Sequence, residues 1–217
     1  MVENLMVILF LCAVVPMGPA VYMVKDRKSK IFLGYILLGM TVCLIASVIN
    51  NLFLGLSGGD LRYVSTNVTP VVEEVLKALP VLYFALLFSD DRDMLLSISF
   101  AMGLGFAMLE NMFIIVENID SVTILWAFVR GFGAARMHSV CTCLIGIGIS
   151  YVYKRRKLFI CGTISLLILA VILHGLFNTL IQSQYKLAAY GVVLVIYIPR
   201  MNTMVRQILS RRKTRQV

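Results

Sequence analysis

The sequence predicts an all-α fold, a polytopic integral membrane helical bundle of about seven transmembrane helices. Three observations carry that prediction. The 217 residues are 60% hydrophobic with a mean hydropathy of +0.91, more apolar than a soluble domain can be without large exposed patches. The apolar residues fall in runs near the ~20 residues that cross a hydrocarbon core of about 30 Å as a helix. The runs are separated by short polar linkers, several strongly basic. With neither low-complexity segments nor a convincing internal repeat, the chain reads as one membrane-embedded domain over 1–217.

The first span covers about 4–24. Glu3 stands where a signal peptide carries positive charge, and the apolar run outlasts an h-region, so this reads as a retained helix. The second span covers about 31–56, the third about 68–88, and the fourth about 94–117. The fifth lies within about 122–153, and its 32 residues would extend about 48 Å as a helix, too long for one straight crossing. Gly131 and Gly133 flank Phe132 there, which predicts a break. Residues 122–130 are expected as a re-entrant or interfacial piece, with the true span starting near 132. The sixth span covers about 158–181 and the seventh about 187–207.

The net charge of +9 is not a nucleic-acid signature. The basic residues cluster at 25–30, 154–157 and 206–215. Seven spans put all three clusters on one side, which the positive-inside rule makes cytoplasmic, with the amino terminus outside and the carboxyl terminus inside. Cys12, Cys43, Cys141, Cys143 and Cys161 lie in apolar stretches without CxxC spacing and read as small apolar filler. Cys141, three residues after His138, shares its helix face and is the one thiol with a conceivable metal role.

The informative residues are those a membrane helix should lack. Glu73, Glu74 and Lys77 interrupt the third span, Glu110 the fourth, His138 the fifth and His174 the sixth. A charge at the bilayer centre costs roughly 2.5–3.5 kcal/mol on insertion scales, so such residues face the bundle interior and mark a site. Counted from the expected span ends, all lie one to two turns from the outer face, within about one turn of each other. Glu73 and Lys77, four apart, share a face as a candidate ion pair, and Glu74 points about 100° away. Asn178 follows His174 by four residues and is placed to orient its ring. Asn111 follows Glu110, and Gly103 and Gly105 permit close helix approach. Arg130 and Arg136 either snorkel to the interface or hold a carboxylate or oxyanion.

Peptide hydrolysis needs activated water, an acid for the leaving group and donors for the oxyanion. Glu73 or Glu74 is the expected general base, with the other in support. His138 and His174 would bind metal or stabilise the oxyanion, and Glu110 would be a ligand or second acid. The expected metal set is therefore His138, His174 and Glu110, with zinc as the candidate ion. Two rivals stand beside this reading. Intramembrane carboxylates and histidines also form proton relays, as in a small proton-coupled transporter, and a silent scaffold would need none of them.

The segments Glu73-Glu74-Val75-Leu76-Lys77, Gly105-Phe106-Ala107-Met108-Leu109-Glu110-Asn111 and His174-Gly175-Leu176-Phe177-Asn178, together with His138 after Arg130 and Arg136, resemble the PrsW family of intramembrane proteases. They fall in order on successive spans from about 70 to 180. The wider superfamily includes CAAX-prenyl-protease-like and bacteriocin-processing membrane proteins, so a CAAX-protease-like peptidase with another substrate is the nearest alternative. The resemblance implies a catalytic core of about 68–182 and a bacterial plasma-membrane protease. It also implies the first, extracytoplasmic-side cut in a membrane-anchored anti-sigma factor, with the lipid bilayer as the other partner. Glu73, Glu74, Glu110, His138 and His174 would be the catalytic or ligand set, acting with a metal ion or with glutamate alone.

Overall fold

The computed structural model describes residues 2–185, 188, 189 and 191. Helix α1 (Val2–Met23) leads to α2 (Arg27–Leu56), a short α3 (Leu61–Tyr63) and a π-helical turn at Val64–Val68 that runs into α4 (Thr69–Leu87). Then come α5 (Arg92–Glu117), α6 (Ile124–Ile149), a second π-helical turn at Leu158–Gly162 and α7 (Thr163–Ile181). No strand is present among the described residues. Five helical stretches there are long and apolar enough to cross a membrane: Leu5–Met23, Arg27–Leu56, Arg92–Glu117, Ile124–Ile149 and Leu158–Ile181. The third expected span forms α4, but Glu73, Glu74 and Lys77 make it too polar to stand with those five. The expected seventh span lies almost wholly outside the described residues.

The helix starts are written in short polar side chains that accept the orphan N–H groups of a first turn. Asp26 accepts from the Ser29 N–H, Asp91 from that of Met94 and Thr123 from that of Trp126. The expected linker 57–67 is more ordered than a loop. It turns at Gly58 and Gly59, with φ of 69° and 87°, where only glycine is unstrained. Asp60 then caps α3 by accepting from the Tyr63 N–H.

Helix α5 is central, its two halves serving two cores. Leu95 and Ile98 pack with Val81 of α4, Met137 and Ile145 of α6 and Ala170 of α7. Met102, Phe106 and Leu109 pack with Met6 of α1 and Ile36 and Met40 of α2. In lipid, apolar burial gives little drive for helices to associate, so close contact and interhelical hydrogen bonds must do it. Glycines supply the contact. A Cβ on Gly105 would collide with the Ile36 carbonyl of α2, and one on Gly103 with the His138 carbonyl of α6. One on Gly148 would meet the Thr163 backbone, which starts α7.

The expected break at Gly131–Gly133 is absent, and α6 runs unbroken through both glycines. Away from water a broken helix must find new partners for its N–H and C=O groups, whereas an unbroken one satisfies them internally. The excess length is handled at the ends instead. The helix stops at Ile149, shorter than expected, and its first turn protrudes, leaving Ile124 92% exposed.

The ends of the bundle are chemically distinct. Lys154 of the basic 154–157 segment donates to the Asp90 carbonyl at 2.9 Å. Lys28, at the start of α2, lines a cleft with Asp91 and Asp93 at the start of α5. Both described basic segments therefore share one end. At the other end, Asn178 of α7 and Gln182 just after it donate to Ser65 in the π-helical turn before α4.

Candidate active site

Helices α4, α5, α6 and α7 each send ionisable side chains to one buried point. Glu73 and Glu74 leave α4 one turn after its start, and Glu110 leaves α5 two turns before its end. His138 lies fourteen residues into α6, about 21 Å from its first residue. The site still assembles without the break because the start of α6 overshoots the bundle. His174 leaves α7 about two turns before its end. Glu73, Glu74, Lys77, His138 and His174 are all buried. The two imidazole centroids are 4.8 Å apart and nearly perpendicular.

Each histidine is held on its outer side by a carboxylate. Nδ1 of His174 donates to Oε1 of Glu74 at 2.9 Å. Nε2 of His138 donates to Oε2 of Glu110 at 3.0 Å. The nitrogens left over, Nε2 of His174 and Nδ1 of His138, face a third carboxylate. Oε2 of Glu73 lies 3.8 Å from the first and 3.9 Å from the second. That oxygen is buried and has no hydrogen-bond partner, an arrangement costing roughly 1–3 kcal/mol if left unmet.

Three donor atoms from Glu73, His138 and His174 lie within 4.8 Å of one another. Two imidazoles and one carboxylate are a zinc-type donor set. Outer carboxylates that fix the ring tautomer are the usual support of such a set, so the residues present fit a metal ion. The carboxylate in this group is Glu73, where the sequence reading named Glu110; Glu110 backs His138 from the other side of its ring.

Lys77 completes the network. Its Nζ donates to Glu74 Oε1 at 2.6 Å and lies 3.0 Å from Nδ1 of His138. It therefore pairs with Glu74, three residues before it, and not with Glu73 four before. Offsets of three and four both reach on a helix, and Glu73 is turned instead towards α2, where Asn50 Nδ2 approaches its Oε1 at 3.5 Å. The ammonium also lies 4.5 Å from the Phe106 ring centroid. A cation seated at His138 Nδ1 requires Lys77 to turn fully onto Glu74.

Arg130 and Arg136 separate here. Arg130 Nη2 lies 3.9 Å from Glu110 Oε2, and its buried Nε has no hydrogen-bond partner. Arg136 lies over the Phe132 ring, with its guanidinium carbon 3.5 Å from the centroid. Asn178 does not orient His174; its amide donates to the Ser65 carbonyl at 2.9 Å. Asn111 is buried beside Glu110, and its Oδ1 has no hydrogen-bond partner. Cys141 donates to the Ala170 carbonyl at 3.5 Å and is not part of the donor group. Asn50 and Phe106 belong to the site and were not singled out from sequence. An asparagine pair, Asn50-Asn51, late in an apolar span was the available signal for the first. Phe106, whose ring lies 5.0 Å from that of His138, falls inside the Gly105–Asn111 segment, but an apolar residue in an apolar span carries no polar signal of its own.

A helical membrane bundle with paired imidazoles, three carboxylates and an arginine beside the most exposed carboxylate has the equipment of an intramembrane hydrolase. Residues 28–204 match the family described as PrsW family intramembrane metalloprotease. The chain is also 28% identical over 211 residues to Protease PrsW of Clostridioides difficile (strain 630), covering 88% of this chain and 85% of that protein. No solved structure matches. The chain belongs to the PrsW family, and it is a multi-pass intramembrane peptidase.

Proposed function

We propose that this peptidase cuts a membrane-anchored protein near the extracytoplasmic face of a bacterial plasma membrane, with zinc held by Glu73, His138 and His174. The observation that carries the reading is the unpartnered Glu73 Oε2, facing both imidazole nitrogens at 3.8 and 3.9 Å. The proposed catalytic core is 68–182 within a single domain over 1–217. The topology is seven spans, amino terminus outside and carboxyl terminus inside. The two described basic segments share an end, and the positive-inside rule makes that end cytoplasmic.

A Lewis acid at this point supplies positive charge that acidifies water and polarises a carbonyl. The chain's own groups do the rest. Glu74 and Glu110 hold each imidazole with its inner nitrogen turned towards Glu73, that of His138 once Lys77 has turned onto Glu74. Lys77 neutralises Glu74, which is otherwise an isolated buried charge. Glu110 is the most open of the three carboxylates, with 24% of its side chain exposed. It replaces Glu73 and Glu74 as the proposed proton acceptor from water, and later returns that proton to the leaving amine. Arg130, beside Glu110 with an unpartnered Nε, is the proposed donor to the oxyanion.

The substrate proposal is an anti-sigma factor with one membrane span, cut first by this enzyme. It is supported by membership of the PrsW family and by the site lying towards the end opposite the basic loops. The test is cleavage of such an anti-sigma factor, co-expressed with wild-type or Glu110→Gln protein. Cleavage on the outer side by the wild type, absent in the variant, is expected. Equal cleavage by both would overturn the role of Glu110, and cleavage on the cytoplasmic side would overturn the topology.

A further inference from the structure

We propose a binding site for one anionic phospholipid at the basic end of the bundle, in the groove between α2 and α4. The groove has a volume of about 450 Å³. Arg27 and Lys30, both exposed, line it on the first turn of α2. Its body is apolar, built from Gly34 on α2, from Pro80 and Tyr83 on α4 and from Phe88 just after it. Tyr83 and Phe88 are 59% and 62% exposed, and their rings meet edge-on at 6.3 Å. Gly34 contributes depth: a Cβ there would meet nothing within 4 Å.

Charge complementarity selects the occupant. Two cations at the mouth of an apolar slot match a phosphate attached to acyl chains, which inserts chain-first along α2 and α4. Basic pockets between membrane helices on the cytoplasmic side are suited to anionic headgroups. A zwitterionic lipid would bring no net charge to Arg27 and Lys30. At the floor Tyr35 donates its hydroxyl to the Pro80 carbonyl at 2.9 Å. That bond ties α2 to α4 one turn beyond Lys77, so a lipid bridging these helices braces the helix that carries Glu73 and Glu74. The site stands independently of the catalytic reading.

The test is binding of phosphatidylglycerol to the full-length protein, followed by native mass spectrometry against phosphatidylcholine. Arg27→Gln/Lys30→Gln is compared with Arg155→Gln/Arg156→Gln, a control pair at the same end that does not line the groove. Wild type is expected to prefer phosphatidylglycerol, and the groove pair to bind it roughly thirtyfold more weakly, at about fivefold per basic residue lost. The control pair should bind as wild type does. Gly34→Leu, whose Cβ meets nothing within 4 Å and whose side chain enters the slot, should lower occupancy with unchanged thermal stability in detergent. Equal loss in both pairs means diffuse surface attraction and overturns the proposal, as does wild-type binding by the groove pair.

Discussion

Glu74 on α4 and His174 on α7 are joined across the helix interface by a 2.9 Å hydrogen bond, and this bond decides which imidazole nitrogen faces the site. Loss of such an outer partner typically costs 10–100-fold in metal affinity or activity. Glu74→Gln can still accept from Nδ1 through its amide oxygen, but it no longer offsets the Lys77 charge. Zinc affinity should fall by about tenfold or more, measured by competition with a chromophoric chelator. Unchanged affinity would show that Glu74 does not support the ring.

Lys77 and Glu74 are a buried pair, and breaking such a pair on one side costs about 3–5 kcal/mol. Lys77→Met should therefore lower thermal stability sharply. The double variant Lys77→Met/Glu74→Gln should recover most of it, because no lone charge is left. A double variant as unstable as Lys77→Met would mean that packing of the lysine stem, not its charge, holds the helices.

Gly103 and Gly131 should respond oppositely to alanine. At Gly103 the added methyl meets the His138 carbonyl, a backbone atom that cannot step aside. Overpacking of this kind costs about 1–3 kcal/mol, and here it also displaces His138. At Gly131 nothing lies within 4 Å, so alanine should stabilise α6 by roughly 0.5–1 kcal/mol. Thermal melts in detergent and a cleavage assay would show whether Gly131→Ala is harmless while Gly103→Ala is not.

Removing Asn50 tests a site member on α2. Asn50→Leu takes away the amide near Glu73 Oε1, a long contact of 3.5 Å. Cleavage should fall severalfold with a melting midpoint close to wild type. A large drop in stability with intact cleavage would assign Asn50 to packing alone.

Much of this organisation is legible in the sequence, for a physical reason. Lipid penalises charge so heavily that Glu73, Glu74, Glu110, His138 and His174 have only one place to go, the bundle interior. Helix starts are equally plain, since Asp26, Asp91 and Thr123 carry the caps. Pairings between neighbours are not legible. Lys77 reaches Glu73 or Glu74 equally well by helical spacing, and contacts from other helices, Asn50 at Glu73 and His174 at Glu74, accompany the choice of Glu74. The unbroken α6 was hidden because glycine permits a bend without requiring one. Backbone hydrogen bonding then favours the straight helix. That Glu73, not Glu110, completes the group with the histidines depends on helix rotation, which hydropathy does not report.

The most direct measurement is the zinc content of purified protein by plasma mass spectrometry, with wild type beside Glu73→Gln and His138→Ala/His174→Ala. The account predicts near-stoichiometric zinc in the wild type, a marked loss of zinc in Glu73→Gln and no bound zinc in the double histidine variant. Active wild-type protein without metal would contradict it, as would zinc retained in full when Glu73 or both histidines are removed.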